Sequence, residues 1–202
     1  LPIVLLIAVP AYLFLFDEGY CPDIEEMDDA NIQVIGDSVF GSDADGCASI
    51  AGFMSLRLEL RVTDHAIPGA TVIGEDGIPS QYVSGDWKWT VIDGGGNDVM
   101  AYCSEGDDDE CDEKLDEIMT NDNKGLMPDL INKAKDDGSK VIILGYYGIP
   151  EGSEFEGVVL QVEILNDRYN EFAEVNDDVY FISLKDVMSP EETPDYYSED
   201  LV

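Results

Sequence analysis

The chain has 202 residues, 45% of them hydrophobic and 9% aromatic, enough for one well-buried core, too short for two ordinary enzyme domains, and too apolar for wholesale disorder. Against 45 Asp and Glu stand only 10 Lys and Arg, a net charge of -35. Such a field repels phosphate backbones and anionic head groups, so it argues against nucleic acid and acidic membrane surfaces as partners.

Residues 1–16 carry no charge. As a helix rising about 1.5 Å per residue they would cover about 24 Å, short of the roughly 30 Å of a bilayer core. With no initiating Met and no basic flank, they read as the remnant of a signal peptide or of an N-terminal membrane anchor, and they imply an exported protein, periplasmic, extracellular or membrane-anchored. Residues 17–30 follow as an acidic linker, and residues 31–202 as one domain. The acidity reads as a solvated face suited to high ionic strength. A calcium site in residues 43–46 or 107–112 is the competing reading, but neither stretch has EF-hand spacing, and no metal or cofactor is expected.

Export permits disulfides, and the chain has Cys21, Cys47, Cys103 and Cys111. Four cysteines allow three pairings; Cys103 with Cys111 is preferred, closing a short acidic loop, and Cys21 with Cys47 would complete the set.

Further along, Ile32 to Ile35 reads as a strand ending in Gly36-Asp37-Ser38. A helix is expected over residues 48–60, presenting Ile50, Phe53, Met54 and Leu58 on one face. A short strand near residues 61–66 precedes the turn Pro68-Gly69, and a third over residues 87–92 runs into Gly94-Gly95-Gly96-Asn97-Asp98. Helices over residues 112–119 and 128–135, the second closed by Asp136-Asp137-Gly138, lead to a strand over residues 140–146. Val158, Val162, Leu165, Tyr169 and Phe172 step along a longer helix before a last strand over residues 179–183. Alternating helices and apolar strands predict an α/β domain: a flavodoxin-like three-layer sandwich around a parallel sheet of about five strands.

Two motifs close strands at the sheet edge where such folds bind ligands. A serine at the turn after the first strand can face a cleft, although Asp37 and Ser38 alone would also serve as plain caps. At the third strand, glycines let the chain approach a reacting carbonyl and the Asn97 amide can donate to an oxyanion. A phosphate cradle is discounted there, since no phosphate-loop pattern opens a helix and the charge opposes it.

Together, Gly36-Asp37-Ser38, Pro68-Gly69 and Gly96-Asn97-Asp98 resemble blocks I, II and III of the SGNH (GDSL-like) serine ester hydrolases, in order and separation. The resemblance implies Ser38 as nucleophile and an oxyanion hole made by the Ser38 N–H, the Gly69 N–H and the Asn97 side chain. The family's last block is D-x-x-H; Asp200 matches its aspartate, and the sequence stops at Val202, one residue before the histidine. The chain therefore reads as part of a longer frame. The one histidine, His65, reads as structural or cleft-lining rather than catalytic, and Asp195 has the wrong spacing to replace Asp200. The expected function is hydrolysis of a small-molecule, glycan or lipid ester through an acyl-enzyme. A non-catalytic envelope-associated binding protein of the same fold is the alternative, and a flavodoxin-like redox or nucleotide-binding domain lacks a phosphate loop. The oligomeric state is not legible.

Overall fold

The computed structural model describes residues 31–41, 49–104, 108–153 and 155–189. Five apolar runs form the strands β1 (Ile32–Ile35), β2 (Val62–Asp64), β3 (Trp89–Ile92), β4 (Lys140–Leu144) and β5 (Val179–Ile182). All are parallel, in the order β2-β1-β3-β4-β5, the flavodoxin-like arrangement. Parallel strands are covered on both faces, so β1 is buried at all four positions and β4 at its last four.

The described helices are α1 (Ser38–Gly41), α2 (Ile50–Leu58), α3 (Ile78–Gln81), α4 (Gly96–Cys103), α5 (Asp108–Ile118), α6 (Leu126–Asp136) and α7 (Val159–Val175). On one face, Ile35, Ile92, Val141, Ile143 and Val179 pack against Ile78 of α3, Ile131 and Ala134 of α6, and Leu165, Tyr169 and Phe172 of α7. On the other, Ile32, Val34, Val91, Ile142 and Leu144 meet Phe40 of α1 and Ala51 and Met54 of α2. Three layers result, as expected. A third cluster, Val99, Cys111, Leu115, Val158 and Val162, joins α4, α5 and α7 beside the sheet.

The apolar face of α7 is the one its spacing predicts: Val162, Leu165, Tyr169 and Phe172 are buried. Helix α2 differs. Its buried side is Ala51, Gly52, Met54 and Ser55, with Ile50, Phe53 and Leu58 only half-buried. Small residues let this helix lie close to the sheet, and Ser55 is drawn inward because its Oγ accepts the Val62 N–H at 3.0 Å. Strand β2 is shorter than expected, three residues at the sheet edge. Helix α5 starts at Asp108 rather than near Asp112, with Asp109 and Glu110 in its first turn, where the helix dipole favours negative charge.

Cys103 at the end of α4 and Cys111 in α5 form a disulfide, with Cα atoms 4.9 Å apart. The bridge closes the short acidic segment, as expected, and also fastens the end of α4 to α5. Cys21, Cys47, the apolar residues 1–16 and the linker 17–30 lie outside the described residues, among which no helix is long and apolar enough to cross a membrane.

Replacing both Cys103 and Cys111 by serine removes a constraint on a loop of 8 residues, for which chain entropy gives about 2–3 kcal/mol. For a chain of this size the melting temperature should fall by about 5–10 °C, read by circular dichroism. The wild type measured in a strong reductant should fall by a similar amount.

Candidate active site

Strand β1 hands over to the site at Gly36, which turns at φ 156°. A Cβ there would stand 1.5 Å from Asp93 Oδ1, so only glycine fits. That space lets Asp93 Oδ1 accept the Asp37 N–H at 2.8 Å, tying the end of β1 to the end of β3. The Gln81 amide holds the same peptide: its Oε1 accepts the Gly36 N–H at 2.7 Å and its Nε2 donates to Gly36 O at 2.9 Å. Asp37 is the cap of the following turn, its Oδ1 accepting the Val39 N–H at 2.9 Å. Ser38 is exposed. Its hydroxyl has no partner among the described residues.

After β3, the glycine run leads into a helix that the sequence reading did not place. Gly95, at φ 102°, is the residue before α4, and Gly96 and Asn97 form its first turn. The first N–H groups of a helix lack partners within it; here the Gly96 N–H donates to the Tyr146 hydroxyl at 2.7 Å, which donates to Asp37 Oδ2 at 2.8 Å. Tyr146, just beyond β4, leaves no room for a side chain at residue 96, where a Cβ would lie 2.8 Å from its ring.

The same first turn of α4 fixes the segment after β2. Asn97 Nδ2 donates to Ala70 O at 2.8 Å, and the Asp98 carboxyl accepts the N–H groups of Val72 and Ile73 at 2.7 and 2.9 Å. The Pro68-Gly69 turn is closed by the Ala70 N–H on Ile67 O at 3.0 Å, while the Ile67 N–H reaches Gly36 O at 3.0 Å. Gly69 is exposed, at φ 78°. Ser38, Gly69 and Asn97 therefore follow the C-terminal ends of β1, β2 and β3, three neighbouring strands, and their segments are hydrogen-bonded to one another.

Three carboxyls are buried in this edge: Asp37, Asp93 and Asp98 are 2%, 1% and 1% exposed. Burial raises Asp93 well above the ordinary carboxylate range, and the neighbouring Asp37 adds to the rise. Its Oδ2 has no hydrogen-bond partner among the described residues, which suits a neutral acid and not a buried anion. Burial also raises Asp37, but the Val39 N–H and the Tyr146 hydroxyl pull it back. Of the two coupled acids, Asp93 keeps the proton and Asp37 takes the charge. Burial raises Asp98 too, opposed by the N–H groups of Val72 and Ile73.

His65 follows β2 directly, its N–H on Val34 O at 2.8 Å, with Nε2 buried and unpartnered among the described residues. Asp195 and Asp200 lie outside the described residues, as do residues 43–46 and Asp107. Among the described residues no group of three or more His, Cys, Asp or Glu could hold a metal ion. Sequence reasoning missed Asp93, Tyr146 and Gln81. Asp93 could have been suspected from its place at the end of β3; the other two are 109 and 45 residues from their partners, and no local pattern marks them.

No family model matches this sequence and no curated protein does. Solved structures do match. An acetyl xylan esterase, 17% identical, aligns over 85% of this chain and 89% of its own with a TM-score of 0.58. A protein from Desulfitobacterium hafniense DCB-2 described as lipolytic and of the G-D-S-L family is 13% identical over 86% of this chain and 83% of its own, TM-score 0.56. The fold is the SGNH hydrolase fold. An active-site mutant of a family two carbohydrate esterase from Clostridium thermocellum shares 15% identity and a TM-score of 0.55 over 87% of this chain, which spans 58% of that larger protein. In this SGNH-type sheet, the motif serine and the motif asparagine lie on adjacent strand ends.

Asp93→Asn should keep the acceptor for the Asp37 N–H while removing the ionisable proton. Because Asp93 is raised in the folded chain, its contribution to stability is full at pH below its unfolded value and lost as pH climbs through the folded one. The variant's melting temperature, followed from acid to mildly alkaline pH, should therefore decline less than the wild type's. Tyr146→Phe strips the partner from the Gly96 N–H and from Asp37 Oδ2, at about 1–3 kcal/mol for each buried group left unpaired. Its urea midpoint should drop at unchanged slope.

Proposed function

We propose that this protein hydrolyses carboxylic esters, lipid, acyl or sugar-acetyl, through an acyl-enzyme on Ser38. The observation that carries this reading is the exposed Ser38 hydroxyl on a turn pinned by the buried Asp37–Asp93 contact, one strand from Asn97. The fold shared with esterases and lipases supports it.

In the proposed reaction, Ser38 Oγ attacks the ester carbonyl and its proton passes to a general base, for which Asp200 is the orienting carboxylate. The carbonyl oxygen becomes an oxyanion. Three donors are assigned to it: the N–H of Ser38, the N–H of Gly69 and the side-chain amide of Asn97. Asn97 spends one amide hydrogen on Ala70 O, which fixes the plane of the amide and leaves its second hydrogen for the oxyanion. A donor locked before substrate arrives costs no reorganisation in the transition state. Collapse expels the alcohol with the base's proton, and water, deprotonated by the same base, releases the acid.

Initial rates of the full-length protein on p-nitrophenyl acetate test the assignment. Ser38→Ala should abolish turnover, and Asn97→Ala should lower kcat by about 10² to 10³, the usual cost of one oxyanion donor. Asp200→Asn should fall between Asn97→Ala and Ser38→Ala, since it disturbs the base rather than removing the nucleophile. Turnover by Ser38→Ala at the parent rate would sink the reading and leave a binding protein that keeps the fold.

A further inference from the structure

Ser38 and Asn97 stand where the strands end; the opposite end of the sheet, where the strands begin, has a composition of its own. Both tryptophans of the chain are there, Trp87 just before β3 and Trp89 at its first position. Each is half-buried. The Trp87 Nε1–H donates to Val83 O at 2.7 Å, and Val83 is 47% exposed. The Trp89 ring lies 5.6 Å from that of Tyr180 on β5, itself 41% exposed, and 5.6 Å from the Lys140 ammonium at the start of β4. Between the two tryptophans Lys88 is exposed. Aromatic rings with one wet edge, beside lysines whose stems are apolar, are the side chains that settle at a boundary between lipid and water.

Charge also sets this end apart. Arg57, Arg61, Lys88, Lys133, Lys135 and Lys140 fall in the last turns of α2 and α6 or at the starts of β2, β3 and β4, and so gather here. Acids such as Glu59, Asp86, Asp137 and Asp178 share the end and roughly balance them, whereas most of the chain's 45 acids lie elsewhere. A low-dielectric layer penalises every unpaired charge brought to it, so this end approaches one at the least cost. The rest of the chain joins at the same place. Asn31 O accepts the N–H groups of Lys88 and Trp89 at 2.8 and 3.0 Å, so residues 17–30, and through them the uncharged residues 1–16, leave the domain beside the tryptophans.

We propose that this end of the domain docks on the headgroup layer of a bilayer, with residues 1–16 in the apolar layer and the Ser38 edge turned to the solution. The lipid is zwitterionic, because residues 17–30 carry acids and no base and an anionic surface repels them. Extended, that linker reaches at most about 50 Å, which keeps the patch within range of the surface. The docking stands independently of ester hydrolysis at Ser38. Strands of four and five residues put about 13–17 Å between the two ends of the sheet. A site at Ser38 therefore takes its ester from the aqueous side and not from the lipid beneath.

With both tryptophans in the patch, intrinsic fluorescence reads the contact directly. The full-length protein is mixed with phosphatidylcholine vesicles, with and without a phosphatidylcholine that carries a nitroxide on its headgroup. Wild type should lose about half of its tryptophan emission on the labelled vesicles, as expected of rings at headgroup depth. Val83→Glu and Tyr180→Glu, each with an unchanged circular dichroism spectrum, should still sediment with the vesicles through residues 1–16 but lose most of the quenching. Leu160→Glu, at an exposed position where α7 begins near the other end of the sheet, should behave as wild type. Sedimentation without quenching overturns the proposal, since the chain is then tethered with its patch free, and so does failure to sediment. Equal quenching in all the variants overturns it as well. A change in tryptophan emission on adding cellohexaose without vesicles overturns it too and assigns the patch to a glycan. None of these outcomes bears on Ser38-dependent turnover, so the two readings fail separately.

Discussion

The carboxyl group of Asp93 reaches the backbone of Asp37 only because residue 36 has no Cβ, and the geometry of the whole edge hangs from that contact. β1 and β3 are already neighbours in the sheet, with Ile35 beside Ile92, but sheet pairing ends there. Beyond it two loops would diverge. The 2.8 Å bond from the Asp37 N–H to Asp93 carries the pairing one step past the strands. Tyr146 then adds β4's loop to the same group through Asp37 Oδ2, and α4 through the Gly96 N–H.

Charge sharpens the point. A chain with 45 acidic and 10 basic residues has every electrostatic reason to keep its carboxylates in water, yet the buried acids described, Asp37, Asp93 and Asp98, all stand at this one edge. Among the described residues no cation is bonded to them. They are tolerated by two other means: donors, a backbone N–H and a phenol on Asp37 and two backbone N–H groups on Asp98, and retention of the proton on Asp93. Ion pairs such as Lys140 with Asp178 and Lys114 with Glu117 are largely exposed, so they add little to stability.

Much of the fold was legible because parallel strands leave an unbroken apolar trace and long helices a periodic one. KVIIL and the residues from Val162 to Phe172 declare their states by those two rules alone. The inward face of α2 was not legible, since an Ala-Gly-Ser surface is chosen for closeness to the sheet rather than for apolar character. At the site, Ser38 and Asn97 were readable as motif residues at strand ends. Their supports were not: Gln81 and Tyr146 act across 45 and 109 residues, and a distance of that kind leaves no mark on either neighbourhood. The helix after the glycine run was not legible because it starts without a capping side chain, Gly95 supplying only a left-handed turn.

The Gln81 amide presents to Gly36 the donor and acceptor that an adjacent strand would present, at 2.9 and 2.7 Å. It reads a peptide group and nothing else. Support of this kind is indifferent to the identity of most surrounding side chains, so substitutions can accumulate around the turn without moving it, as long as residue 36 stays glycine and an amide stays at 81. Contacts of this kind hold a shape without fixing its letters. This chain, matched by no family model, shares its fold with an esterase of 17% identity.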